Sequence, residues 1–112
     1  MGSNARTYSP IVTVTDAACI SVNMALGNNF LVTLAGNRTL KKPVNCTVGQ
    51  GGNIYLVQDG TGSRTLGYNT AWQFVSASVP SLSTGAADVD MLVYNARSSA
   101  TIDTVLLKNF DR

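Results

Sequence analysis

Histidine and glutamate are absent from this sequence, and charged residues make up only 12% of its 112 positions. Without histidine the chain cannot form the Ser–His or Cys–His pairs of nucleophilic catalysis, nor the usual His-containing zinc sites. Its two cysteines are too few for a zinc site made of four thiolates. The sequence therefore predicts a protein that is not an enzyme and that has no cofactor and no bound metal.

Concentrated charge and long apolar runs are also missing. The formal net charge is +2, and Lys41 and Lys42 are the only adjacent basic residues. Nucleic-acid binding usually needs a concentrated basic surface, so we do not expect it. No apolar run approaches the roughly 18–20 residues of a membrane span, and the N-terminus lacks a basic-then-apolar signal pattern. We expect a soluble chain that does not insert into a membrane.

Valine, threonine, serine, asparagine and glycine are abundant instead. Valine and threonine favour strands, whereas asparagine, serine and glycine favour turns. About ten short strand-like segments, spaced roughly 8–12 residues apart, are separated by turn signals. This spacing predicts an all-β fold, an antiparallel β-sandwich that is jelly-roll-like. Residues 1–10 are polar and end at Pro10, so we expect a short extended arm there and a single domain over residues 11–112.

Two β-hairpins are predicted from apolar alternation on both sides of a short loop. The first joins residues 19–26 to residues 30–34 through a Gly-Asn-Asn loop. The last joins residues 88–95 to residues 101–110. A further strand is expected over residues 44–48, where valine and cysteine alternate with polar residues.

The segment around Asp59 is the most informative part of the chain. Residues 53–59 are apolar on both faces, which is typical of a central buried strand. In the loop that follows, two glycines permit positive φ, and we expect Asp59 to accept hydrogen bonds from loop amides and to pair with Arg64. The favoured interpretation is a hairpin corner satisfied by its own contacts. The alternative is that Asp59 and Arg64 contact a ligand or a partner.

Aromatic residues offer a second candidate site. Trp72 and Phe74 are two positions apart in a predicted strand and so share a face. With Tyr55, Tyr68 and Tyr94 they form either part of a core or subunit interface or a platform on which a sugar ring stacks. Packing is the commoner use of such residues, and we favour it.

Asp88 and Asp90 are also two positions apart and are expected on one face of a strand. A solvated polar face is the favoured interpretation. A cation site and a carboxylate pair for glycoside hydrolysis are the alternatives, and both lack supporting ligands or partners nearby.

Cys19 and Cys46 leave three interpretations open. They form a disulfide, remain as buried thiols, or cross-link separate subunits. Cys46 alternates with two valines, which favours a small buried side chain, whereas Cys19 is out of phase with its apolar neighbours.

An ordered string of short motifs resembles a module common in structural proteins of tailed bacteriophages, known from tail-fibre-like and virion surface proteins. The resemblance covers nearly the whole chain, although the two cysteines and the lysine pair are not part of the pattern. The motifs are Gly49-Gln50-x-Gly52, Gln58-Asp59-x-Thr61-Gly62-Ser63-Arg64-Thr65, Trp72-x-Phe74, Pro80-x-Leu82-Ser83-Thr84, and Asp90 before an apolar strand.

The resemblance implies a non-enzymatic protein of the virion surface, made in the cytoplasm of the bacterial host and without catalytic residues. Its expected partners are other copies of itself, most often in a trimer, and phage capsid or tail proteins. Because a 112-residue chain holds no shaft or adaptor domain, we expect a capsid decoration protein. Its N-terminal arm would attach it to a neighbouring subunit or to the capsid lattice. The alternative is a tail-fibre-type module that recognises a glycan of the host surface.

Overall fold

The computed structural model describes residues 10–110, so the predicted arm, apart from Pro10, lies outside the described residues. This part of the chain folds into strands and a single 3₁₀ turn at Val75–Ala77, which confirms the all-β prediction. Between residues 10 and 110 no helix is long and apolar enough to cross a bilayer. The strands are β1 (Ile11–Thr13), β2 (Cys19–Ile20), β3 (Asn29–Leu34), β4 (Arg38–Leu40), β5 (Gly51–Gln58), β6 (Leu66–Tyr68), β7 (Trp72–Phe74), β8 (Val89–Ser98) and β9 (Thr101–Leu107).

The strands form a six-stranded sheet in the order β1-β3-β5-β8-β9-β7 and a three-stranded sheet in the order β2-β4-β6. From β1 to β6 the chain alternates between the sheets, and each of β1 to β4 pairs in parallel with the strand two places further along. The chain therefore winds in successive coils. β7 and β9 are also parallel, and the antiparallel pairings among the described strands are those of β8 with β5 and with β9. The predicted antiparallel, jelly-roll-like sandwich is thus wrong in strand direction: the six-stranded sheet is mixed and the three-stranded sheet is parallel.

The first predicted hairpin is also wrong. β2 pairs with β4 in the smaller sheet, whereas β3 pairs with β1 and β5 in the larger one. Ile20 and Phe30 are both fully buried, so the apolar sides of the two segments lie in different sheets of the shared core. The Gly-Asn-Asn loop connects the two sheets, and the Asn28 carbonyl in this loop accepts hydrogen bonds from the Asn53 backbone amide and the Tyr94 hydroxyl.

Strand register places apolar side chains in rows along the interior. Val12, Phe30, Ile54 and Leu92 occupy one such row across β1, β3, β5 and β8, and the last three are fully buried. Burial stabilises the fold by about 1.5–3 kcal/mol for each side chain of this kind. β5 lies between β3 and β8, which confirms its predicted central position.

Residues 44–48 do not form the strand that their alternation predicts. Only Val44 pairs, in an isolated bridge with Asn23, and the Asn45 side-chain amide donates a hydrogen bond to Oδ1 of Asn23 at 2.9 Å. Asn45 and Gly49 have positive φ values of 56° and 87°, which turn the chain out of the extended conformation.

The last predicted hairpin is confirmed. β8 and β9 pair antiparallel, with a bulge between Ala96 and Ser98. β7 then pairs with the free edge of β9. The Trp72 indole donates a hydrogen bond to the Lys41 carbonyl at 2.9 Å, so this C-terminal region is tied to the segment that follows β4.

Candidate functional site

The loop after β5 is organised by one carboxylate. Asp59 accepts hydrogen bonds from the backbone amides of Thr61 (3.1 Å) and Gly62 (3.0 Å), and pairs in a bidentate way with Arg64 at 2.8 and 3.2 Å. These contacts, first of all the bond from Arg64, lower the pKa of Asp59 to about 2. The predicted internal contacts are confirmed. The loop joins two sheets and is not a hairpin corner, and a contact of Asp59 or Arg64 with a partner stays a prediction.

A second ion pair joins neighbouring coils. Arg38 donates from Nε and Nη2 to the two carboxylate oxygens of Asp16, at 2.9 and 2.7 Å. The guanidinium lowers the pKa of Asp16, and both residues are close enough to act electrostatically on Arg64. This pair was not predicted. The tripeptide Arg-Thr-Leu occurs at residues 38–40 and again at residues 64–66, but strand register pairs Arg38 with Leu66, so the two copies are offset by two residues between the coils.

Gln58, at the end of β5, is a buried polar side chain whose hydrogen bonds are all internal. It is 2% exposed, and its amide donates to the carbonyls of Arg64 (2.8 Å) and Ser83 (2.9 Å). Its Oε1 accepts from the Arg64 backbone amide at 2.9 Å. Because a buried polar group left unpaired costs about 1–3 kcal/mol, these bonds hold the loop firmly against the segment that leads to β8.

Asp90 is buried, which corrects the prediction of a solvated face for Asp88 and Asp90. Asp90 is 2% exposed, and its two carboxylate oxygens accept from the backbone amides of Ser83 (2.7 Å) and Asn109 (2.8 Å). Asp88 precedes β8 and accepts from the Gly85 amide at 2.7 Å. Because Asp88 lies outside β8, strand alternation does not place it on the same face as Asp90. The two carboxylates accept hydrogen bonds in different turns.

Trp72 and Tyr94 belong to the core. They are 3% and 2% exposed, and their rings meet edge to face with centroids 6.5 Å apart. The Tyr94 hydroxyl donates to the Asn28 carbonyl, and burial raises the pKa of Tyr94 to about 12. The packing interpretation is confirmed for both rings. A sugar platform that includes them is wrong, because neither ring reaches the surface.

Tyr68 packs edge to face on Phe74, with ring centroids 4.7 Å apart. Its hydroxyl oxygen is buried and has no hydrogen-bond partner among residues 10–110. Burial and, secondly, the charge of Asp90 raise the pKa of Tyr68. Tyr55 points away from the core, because its neighbours in β5 are the buried ones. The aromatic residues therefore do not form one surface, and a partner contact by Tyr68 stays a prediction.

Cys19 and Cys46 are free thiols, so of the three interpretations left open the intramolecular disulfide is not formed. Cys19 is exposed, whereas Cys46 is half-buried against the core and burial raises the pKa of its thiol. A cross-link between separate copies stays a prediction.

The outer surface of the six-stranded sheet carries a further feature that the sequence analysis missed. Along β3, β5, β8 and β9 most inward residues are buried, with Leu106 and Gly52 half-buried, while the outward residues are half-buried or exposed. Val105 and Leu107 are 48% and 42% exposed. Strand register brings eight outward apolar side chains together, and we call them the apolar band: Leu31, Tyr55, Val57, Val89, Met91, Val93, Val105 and Leu107.

Polar side chains border the apolar band at one end. Asn95, Asp103 and Gln73 are cross-strand neighbours on β8, β9 and β7. Arg97 donates two hydrogen bonds to Asp103, at 2.9 and 2.8 Å. These residues and two valines of the band line a surface groove of about 480 Å³.

The fold and these surfaces define a class of protein: an all-β module of stacked coils closed by a hairpin. A model of the family described as "Putative phage tail fibre C-terminal domain" matches residues 9–99. The chain belongs to this family, and the resemblance to phage virion modules is confirmed. Neither the curated proteins nor the solved structures contain a match to the chain.

Membership of this family makes the chain a phage structural protein and a component of the virion. It also implies association with other virion proteins. The matched residues include every strand from β1 to β8.

Proposed function

We propose that the chain is a non-enzymatic terminal domain of a phage tail fibre and that it assembles as a homo-oligomer, most simply a trimer. The family match over residues 9–99 is the observation that carries the tail position. Homo-oligomers with closed symmetry are the usual way in which one short chain builds a larger particle component.

The use of the acidic side chains supports a non-enzymatic role. Asp90 is buried and bonded to two backbone amides, and Asp88 accepts from a turn amide. Asp59, Asp16 and Asp103 each pair with an arginine. Groups engaged in this way stabilise loops, and they are poorly suited to take or give a proton during catalysis. Incubation with host polysaccharide should leave its chain length unchanged, and release of reducing ends would contradict this part of the proposal.

The tail position is tested on the intact particle. The expectation of a capsid decoration protein depended on chain length, whereas the family match favours the tail. Gold-labelled antibody raised against the chain should bind at the phage tail in electron micrographs. Label distributed over the capsid would overturn the tail position and restore the decoration protein.

The homo-oligomer is tested by light scattering of the purified chain with and without reductant. A mass of three times 11.8 kDa that survives reductant is the expected result. A mass that falls to one chain only under reductant would make Cys19 or Cys46 the cross-link. A single-chain mass under both conditions would contradict the proposed oligomer.

Recognition of a host glycan is a second candidate, favoured by the groove at the polar end of the outer sheet surface. Asn95, Asp103 and Arg97 supply amide, carboxylate and guanidinium groups beside an apolar floor, which is the mixture found in small-ligand sites. On an array of host surface glycans, Asn95→Ala should reduce binding by roughly 10-fold, corresponding to about 1.4 kcal/mol. Thr33→Ala, on the same sheet outside the groove, is the matched control, and equal loss in both variants would exclude the groove.

A further inference from the structure

We infer that the apolar band is the surface on which copies of this chain pack against one another, an inference that rests on the proposed homo-oligomer and names its interface. The band lies on the four longest strands, β3, β5, β8 and β9. Strand register arranges it in cross-strand rows. These rows are Leu31–Tyr55–Met91–Leu107, Val93–Val105 and Val57–Val89.

The rows of the band contain no charged side chain. The other paired positions in the same rows are also neutral: Ile11, Thr13, Asn29, Thr33 and Asn53. Charged groups of a partner would lose their bound water when buried against this band. They would find no opposite charge there to pair with. The partner surface must therefore be neutral and apolar, and the band of a second copy meets that condition.

The size of the surface fits the centre of a subunit interface. Four strands spaced about 4.8 Å apart span about 19 Å, and the five residues from Val89 to Val93 at roughly 3.4 Å each extend about 17 Å. The resulting area is about 320 Å² per copy, against about 800 Å² per partner in a standard interface. Interfaces have an apolar centre and a polar rim. Asn95, Asp103 and Gln73 border the band and provide such a rim.

Apolar residues exposed elsewhere provide matched controls. Val48 and Val79 are 65% and 61% exposed, and both lie in loops outside the band. Val48→Lys and Val79→Lys make the same chemical change as Val105→Lys and add the same charge. Only Val105 lies on the proposed interface.

The experiment compares the solution masses of Val105→Lys, Val48→Lys and the unaltered chain by light scattering at one concentration. We expect Val105→Lys to fall to the single-chain mass while Val48→Lys keeps the oligomer. Far-ultraviolet circular dichroism and the fluorescence of the buried Trp72 show whether each variant is folded. For the case in which Val105→Lys does not fold, Val105→Thr is nearly isosteric and should weaken association by roughly 10-fold.

The outcomes separate this inference from the proposed oligomer. If the unaltered chain is an oligomer and both folded variants at Val105 keep its full stability, the band is not the interface, although the oligomer stands. If Val48→Lys dissociates as readily as Val105→Lys, the effect is one of added charge and the inference is overturned. If the unaltered chain is a single-chain species at every concentration tested, the proposed oligomer and its interface both fail.

Discussion

The coils formed by β1 to β6 differ in their pairing from the hairpin of β8 and β9, which together with β7 forms the hairpin region. In the coils, partners such as Asn29 and Asn53 are parallel and 24 residues apart. In the hairpin, Val93 and Val105 are antiparallel and 12 residues apart. Strands that pair with a neighbour close in sequence are joined by a turn that can be recognised between two alternating segments. Strands that pair with a distant segment have no such local signal. The same apolar alternation is therefore compatible with either arrangement.

The largest expected effects come from the cores of the two regions. Leu40→Ala in the coils and Leu92→Ala in the hairpin region each remove a fully buried side chain, and each should lower the free energy of unfolding by about 2–5 kcal/mol. Because Trp72 bonds to Lys41, we expect one cooperative transition in urea by both fluorescence and circular dichroism. If two separate transitions were seen and Leu40→Ala shifted only one of them, the two regions would unfold independently, contrary to this expectation.

The link between the regions is tested at Gln58. Gln58→Leu removes three hydrogen bonds to Arg64 and Ser83 and should cost about 2–4 kcal/mol, because the backbone groups left behind are buried. Gln73→Leu is the control, since Gln73 is exposed and should change stability by no more than about 0.5 kcal/mol. Urea titration measures both. A similar loss in the two variants would contradict a special role for Gln58.

The two glycines of the loop after β5 differ in backbone conformation and in the space around them. Gly62 has a φ of +77°, and a Cβ there would lie 2.8 Å from the Thr84 carbonyl oxygen, on the segment that leads to the hairpin region. Gly62→Ala should therefore destabilise the fold by about 1–3 kcal/mol. Gly60→Ala meets open space and should be neutral or slightly stabilising in thermal melts. Equal melting temperatures for the two variants would contradict this account.

Ion pairs of the two regions should differ in how they respond to acid. The pKa of Asp59 is about 2 in the folded chain, below the ordinary value of 3.8, so its contribution to stability is present above about pH 4 and is lost as the pH falls towards 2. Asp59→Asn should flatten the fall in melting temperature over that range. Asp103→Asn should flatten it less, because the side chains of Arg97 and Asp103 are 63% and 49% exposed and water screens the pair. A larger effect from Asp103→Asn would contradict this ordering.

Much of the fold could be predicted where the cause was local. The last hairpin, the central place of β5 and the Asp59–Arg64 pair followed from alternation, two-sided apolar character and loop composition. The coils could not be predicted from residues 19–34. The apolar alternation there is the same whether the two segments pair with each other or with strands further along the chain.

The candidate site was predictable only in part for a related reason. Trp72 and Tyr94 were expected in a core, and they are buried. Asp90 has the same sequence context as a solvated strand residue, and its burial depends on the Ser83 and Asn109 amides brought to it by the tertiary fold. The apolar band needs the register of four strands, although the two-sided apolar character of residues 53–57 already pointed to a surface that something covers.

The position of β5 between β3 and β8 has a consequence for the order in which the chain is made. On the ribosome β3 emerges before β5, but β8 follows only after about 30 further residues. During that interval the edge of β5 that later pairs with β8 has no partner. An unpaired strand edge can pair with a neighbouring nascent chain. The β8–β9 hairpin is a local structure that can form as soon as it is synthesised. Its docking on β5 then ends the interval in which chains on the same messenger can misassemble.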